Sequence, residues 1–121
     1  MTDAIRANLP ESNYLELLLW TLRKRKRFRV TGLSMTPLLQ PGEEVLVDLN
    51  AYQKSLPQVG EVVIATHPYY ADLNIIKKVV SVAKDGSCFL QGENLAESSD
   101  SRFFGIVTLD KILGRVTSRF V

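Results

Sequence analysis

Arg27-Phe28-Arg29-Val30 alternates charged and apolar side chains, and here the chain changes its period. Alternation sets Phe28 and Val30 on one face of a strand and Arg27 and Arg29 on the other. Upstream the spacing is helical: Leu15, Leu18, Leu19 and Leu22 recur at i, i+3, i+4 and i+7 and share one face. Asn13, with Glu16 three positions on, is a capping pair for that helix. The cations from Arg23 onward suit its C-terminal end, where the dipole is negative. Downstream, strand-like runs follow at Glu44–Leu49, Glu61–Thr66, Ile75–Val82, Cys88–Gln91 and Ile112–Thr117. Pro41-Gly42, Pro57 with Gly60, Asp85-Gly86 and Gly105 punctuate them. These patterns predict a mainly β protein with one short N-terminal helix. Residues 1–27 form an arm and helix, irregular over 1–11, and residues 28–121 form the β body of one compact domain.

The 121 residues are enough for one core without disulfides. With 45% hydrophobic and 23% charged residues, the mixture is globular and not disordered. A net charge of +2 does not call for a nucleic-acid partner. Cys88 is the one cysteine and reads as a buried thiol in an apolar run. One Cys with one His does not make a protein zinc site. His67, before Pro68-Tyr69-Tyr70, reads as a loop histidine.

A membrane span needs roughly 20 consecutive apolar residues. Tyr14–Leu22 is shorter and its positive charge follows it, opposite to a signal peptide. The expectation is therefore a cytoplasmic protein, neither exported nor inserted. The Arg23–Arg29 basic run, with Trp20 and the leucine face, offers a contact to anionic lipid, but a solvated helix end is the favoured reading.

Three segments could carry chemistry. In Thr31-Gly32-Leu33-Ser34-Met35-Thr36-Pro37 a serine sits in a Gly- and Pro-bounded loop after a strand. Such a loop can hold a hydroxyl at a cleft and aim backbone N–H groups at an oxyanion, although taken alone ordinary turn chemistry is the favoured reading. In Ile75-Ile76-Lys77-Lys78-Val79-Val80, alternation gives Lys77 the face of Ile75 and Val79. Desolvation there would lower its pKa and let a neutral amine serve as base to a serine. Taken alone, an edge-strand lysine is the favoured reading. The third is Gly92-Glu93-Asn94-Leu95-Ala96-Glu97-Ser98-Ser99-Asp100-Ser101-Arg102-Phe103-Phe104-Gly105. Asp100 and Arg102 in it could form a bidentate pair beneath a site.

In this order the three segments resemble the type I signal peptidase family, with its G-x-S-M-x-P serine box, its lysine strand and its late G-D-N…S-x-D-S-R…G box. The resemblance runs from about Phe28 to about Val116. It implies a signal peptidase/LexA-like catalytic β fold. It also implies a Ser34 nucleophile, a Lys77 general base, Ser98 orienting that lysine, and a supporting Asp100–Arg102 salt bridge. The oxyanion hole would use the Ser34 N–H, with Gly32 where many members carry a hydroxyl. Phe28, Val30, Met35, Leu39 and Ile76 would line shallow apolar pockets for an extended peptide. No metal or organic cofactor is implied.

Glu93 stands where the family has Asp, and Ser81-Val82-Ala83-Lys84 replaces its glycine-rich segment. A short chain without an anchor looks like the nickel-type superoxide dismutase maturation proteases. That implies removal of a short N-terminal propeptide from the nickel superoxide dismutase precursor. The alternatives are membrane-associated preprotein processing and a LexA-like self-cleaving protease. The Ala-Gly and Cys-Gly dipeptides that self-cleaving repressors commonly cut are absent from the sequence.

Overall fold

The alternating runs form six strands of one antiparallel sheet in a computed structural model that describes residues 9–120. They are β1 (Lys26–Arg29), β2 (Glu44–Asp48), β3 (Val62–Thr66), β4 (Asn74–Val82), β5 (Cys88–Gln91) and β6 (Ile112–Phe120). Their order across the sheet is β1-β2-β6-β3-β4-β5. The fold is mainly β, as expected, and β6 runs on past Thr117 to Phe120. Helix α1 spans Tyr14–Thr21 and a short α2 spans Ser101–Phe104.

β3 explains why the core has two parts. Val62 and Ile64 pack with Val30, Met35, Leu39, Val45 and Val116. Val63 and Ala65 pack with Val79, Cys88, Leu90, Phe104 and Val107. A strand covered on both faces needs an unbroken apolar run, which is what residues 62–65 supply. Cys88 is fully buried, and that burial raises its thiol pKa to about 11.

Among the described residues two backbone edges stay open. There β1 pairs only with β2. β5 covers β4 only from Lys78 to Val82, leaving Asn74–Lys77 unpaired on that side.

Helix α1 does not sit as its leucines suggest. Asn13 Oδ1 accepts the Glu16 N–H at 2.9 Å, so the cap forms. The Glu16 carboxylate does not turn back to close the box. It accepts from the hydroxyls of Thr117 and Ser118 on β6 and from Arg25 Nε. Burial works to raise the Glu16 pKa, and these three partners outweigh it and hold the carboxyl below its ordinary range. Trp20 packs edge-on against Phe120, with the Arg27 guanidinium over both rings. The helix thus docks through Glu16 and Trp20, and Leu15, Leu18 and Leu22 face outward, 61%, 53% and 59% exposed.

Over residues 9–11 the arm is irregular in backbone but docked on the body. Leu9 is buried in the core, and Pro10 and Ser12 exchange backbone hydrogen bonds with Arg119. The rest of the expected irregular arm, residues 1–8, lies outside the described residues. Among the described residues no helix is long and apolar enough to cross a membrane.

Candidate active site

The serine loop leaves β1 through Gly32, whose φ of +75° lies in the left-handed region that favours glycine. Its ends are tied where Val30 N donates to Glu43 O and Gly42 N to Val30 O. Ser34 follows, half-buried, and among the described residues its N–H donates to no protein acceptor. That leaves the N–H free for an oxyanion.

The loop's position is set from the third segment. Asn94 N donates to Ser34 O at 2.8 Å, and Asn94 Nδ2 donates to Thr36 Oγ1 at 2.9 Å. Gly92 lies against the same carbonyl. A Cβ there would collide with Ser34 O and Ser98 Oγ and lie 2.7 Å from Ser98 Cβ, so only glycine fits. Nothing in the sequence pattern alone assigned Gly92 this role; its signal was a glycine between a strand and a polar loop.

Lys77 is on β4 with its side chain 5% exposed, while Lys78 points the other way to an ion pair with Glu93 at 3.1 Å. Nζ of Lys77 donates to Ser98 Oγ at 3.1 Å. Ser98 Oγ donates in turn to Asp100 Oδ2 at 2.7 Å. The Gly92 N–H is shared between Ser98 Oγ and Asp100 Oδ2. Because Asp100 takes the Ser98 proton, the Ser98 lone pairs are left for Lys77 and Gly92.

Asp100 is fully buried and caps α2 by accepting from Arg102 N. Arg102 grips it bidentately, Nε to Oδ1 at 2.9 Å and an Nη to Oδ2 at 3.2 Å. The same Nη reaches the carbonyls of Leu95 and Ser98, fixing the turn between them. Ser101 Oγ, missed by sequence reasoning, accepts from Leu90 N and ties this cluster to β5.

Two opposed effects act on the charges. Burial lowers the Lys77 pKa; Asp100 pulls it back up, and Arg102 pushes it down again. Burial would raise the Asp100 pKa, but its bonds from Arg102, Ser98 and Gly92 overcome this and bring it to about 2. The amine is therefore inclined to neutrality beside a carboxylate that stays ionised.

Ser34 and Lys77 line two clefts in common. One, of about 190 Å3, is walled by Phe28, Val30, Met35, Ile64 and Ile76. The other, of about 360 Å3, contains His67, Tyr70, Glu97 and Ser99. Four of the five residues expected to line substrate pockets are in the first cleft. Leu39 is not: it is fully buried in the core. Among the described residues Lys77 Nζ has its hydrogen bond to Ser98 and none to Ser34 Oγ. Catalytic hydrogen bonds often tighten only when substrate binds. A larger hollow, about 620 Å3, lies on the Lys78 side of β4, and its Lys78–Glu93 and Arg115–Glu61 pairs are already satisfied. It offers no nucleophile beside a base.

A family model described as "Signal peptidase, peptidase S26" matches residues 14–85 and 82–121. The chain belongs to the signal peptidase (peptidase S26) family. It is 29% identical over 105 residues to the mouse (Mus musculus) mitochondrial inner membrane protease subunit 1, covering 71% of this chain and 63% of that protein. The human (Homo sapiens) protein of the same name gives the same identity and coverage. The Xenopus tropicalis one is 28% identical over 109 residues, covering 74% of this chain and 65% of the relative. The chain thus matches less than two thirds of the length of these S26 relatives.

Proposed function

We propose that this S26 chain is a serine endopeptidase in which Ser34 attacks and Lys77 is the general base. One observation carries the proposal: a buried lysine, its pKa lowered by burial, is held by Ser98 at the meeting point of two clefts that Ser34 also lines. Neutral Lys77 donates one N–H to Ser98 and keeps its lone pair for the Ser34 proton. As that proton moves, Ser34 Oγ adds to the scissile carbonyl, and the oxyanion rests on the Ser34 N–H. Protonated Lys77 then hands its proton to the leaving amine. Water, deprotonated by Lys77, releases the acyl group and restores the serine.

The peptide lies extended between the open edge of β1 and the open stretch Asn74–Lys77 of β4. Its small apolar side chains enter the cleft lined by Phe28, Val30, Met35 and Ile76. Ser98, Asp100 and Arg102 act as positioning residues through Lys77.

For the substrate we propose a protein precursor with a short N-terminal propeptide, and that of nickel superoxide dismutase as the first to try; the three boxes between residues 28 and 116 support the peptidase chemistry and do not select this precursor. Incubating the protein with that precursor should give one new N-terminus, and Ser34→Ala should give none. Cleavage that survives in Ser34→Ala would remove the serine from the mechanism. An uncut precursor beside an active wild-type enzyme would remove only the substrate.

A second setting, processing at a membrane surface, is favoured by the exposed Leu15, Leu18 and Leu22 next to Arg23, Lys24 and Lys26. Trp20, turned inward onto Phe120, takes no part. Co-sedimentation with anionic vesicles that weakens at high salt and in a Leu15→Ser/Leu18→Ser variant is the result this setting requires; no co-sedimentation at low salt would exclude it.

A further inference from the structure

The geometry points to His67 as the residue that binds the departing half of the peptide, downstream of the scissile bond. This rests on the dyad proposed above. If the acyl half lies in the apolar cleft beside Phe28 and Val30, the amine half must leave through the second cleft, which the two halves share only at Ser34, Leu73, Ile75 and Lys77. His67 lines that second cleft and not the first.

The imidazole is held from several directions. Its own backbone N–H donates to Leu73 O at 2.8 Å. Nδ1 accepts the Tyr69 N–H at 3.1 Å. The ring packs against Tyr70 and, edge-on, against Phe104, with centroids 4.9 Å and 4.8 Å away. It is buried, 8% exposed, so neither rotation nor solvent easily changes its orientation.

With Nδ1 accepting, the ring proton belongs on Nε2. Among the described residues nothing hydrogen-bonds to Nε2. No buried side-chain nitrogen or oxygen among the described residues lacks a partner, so Nε2 is the accessible atom of an otherwise buried ring, and a donor held in place at a cleft surface suits an acceptor that arrives with the substrate. The acceptor that every peptide offers is a main-chain carbonyl. Glu97 and Ser99 in the same cleft supply acceptors for the N–H groups of that segment. His67 is thus a specificity residue for the leaving peptide and is not the base, because Lys77 already fills that role.

The test uses two substrates with an identical acyl half. One is a peptide continuing several residues past the cut; the other is a methyl thioester with nothing beyond it. The quantity read is the ratio of their kcat/KM values, which is insensitive to the folded fraction of a variant. His67→Phe keeps the ring packing and removes the donor. It should lower the ratio about tenfold, the worth of one hydrogen bond. His67→Gln, which restores an N–H, should recover part of it. An unchanged ratio in His67→Phe would overturn the assignment, as would equal losses on both substrates. Both substrates carry an acyl half that the wild-type enzyme cuts, and turnover of either by Ser34→Ala would instead overturn the dyad on which the assignment stands.

Discussion

Lys77→Met should lose cleavage by roughly 100- to 10,000-fold, the usual worth of a general base, and yet melt no lower than the wild type. Methionine fills much the same volume without an amine to desolvate. Lys77 sits 5% exposed, and its pKa is lowered by burial despite the attraction of Asp100. The unfolded chain, with a lysine near 10.5, therefore binds more protons than the folded one between the two pKa values. Stability from this group is present above the unfolded pKa and is lost as pH falls through the folded one. At neutral pH the wild type bears that cost and the variant does not, so the variant should melt at or above the wild type. The stability gap should narrow as pH is raised toward 10.5. Melting both proteins at pH 7 and pH 10 checks the sign. A Lys77→Met protein that melts well below the wild type at pH 7 would mean that the amine is structural. In the wild type, kcat/KM should climb with pH through the same lowered lysine pKa.

Asp100→Ala should have the opposite profile, costing both stability and turnover. The carboxylate is fully buried and takes hydrogen bonds from Ser98 Oγ, Gly92 N, and the backbone and guanidinium of Arg102. Removing one partner of a buried charged cluster costs about 3–5 kcal/mol, because the others are left without acceptors. The Ser98 hydroxyl then turns away from the orientation that holds Lys77, and turnover should fall about 100-fold or more even in the folded fraction. The pH dependence follows from the depressed pKa: about 2 when folded against an ordinary 3.8. The stabilisation is complete above 3.8 and is lost as pH falls through about 2. Urea unfolding at pH 7 and pH 3 should show the wild-type advantage shrinking in acid. Equal stability of the two proteins at pH 7 would show that Asp100 carries none of this.

Much of this site was legible from residue order alone. Period-two alternation set Lys77 apart from Lys78 before any coordinates, because neighbouring strand residues must face opposite ways. The Asp100–Arg102 pair is two residues apart and closes locally. The strands end near their Gly and Pro turns for the same local reason. What stayed hidden is nonlocal. The leucine spacing of α1 shows that Leu15, Leu18 and Leu22 share a side, but not whether anything meets that side. The docking is instead decided by Glu16 reaching Thr117 and Ser118, about a hundred residues away. Leu39 and Met35 look alike in sequence and are sealed in the same core, yet only Met35 also borders the cleft. His67 reads as a loop residue because Phe104, against which it packs, belongs to a distant segment.

The short reach of β5, which leaves Asn74–Lys77 bare among the described residues, bears on what the proposed peptidase would cut. A chain can satisfy both exposed margins only with its own amides and carbonyls unspent, so a helical or sheet-bound segment has nothing to offer them. Selection would therefore act first on local unravelling and only afterwards on side-chain identity. A floppy tail would be trimmed, and the folded body behind it would be spared without any need for an unusual residue at the boundary.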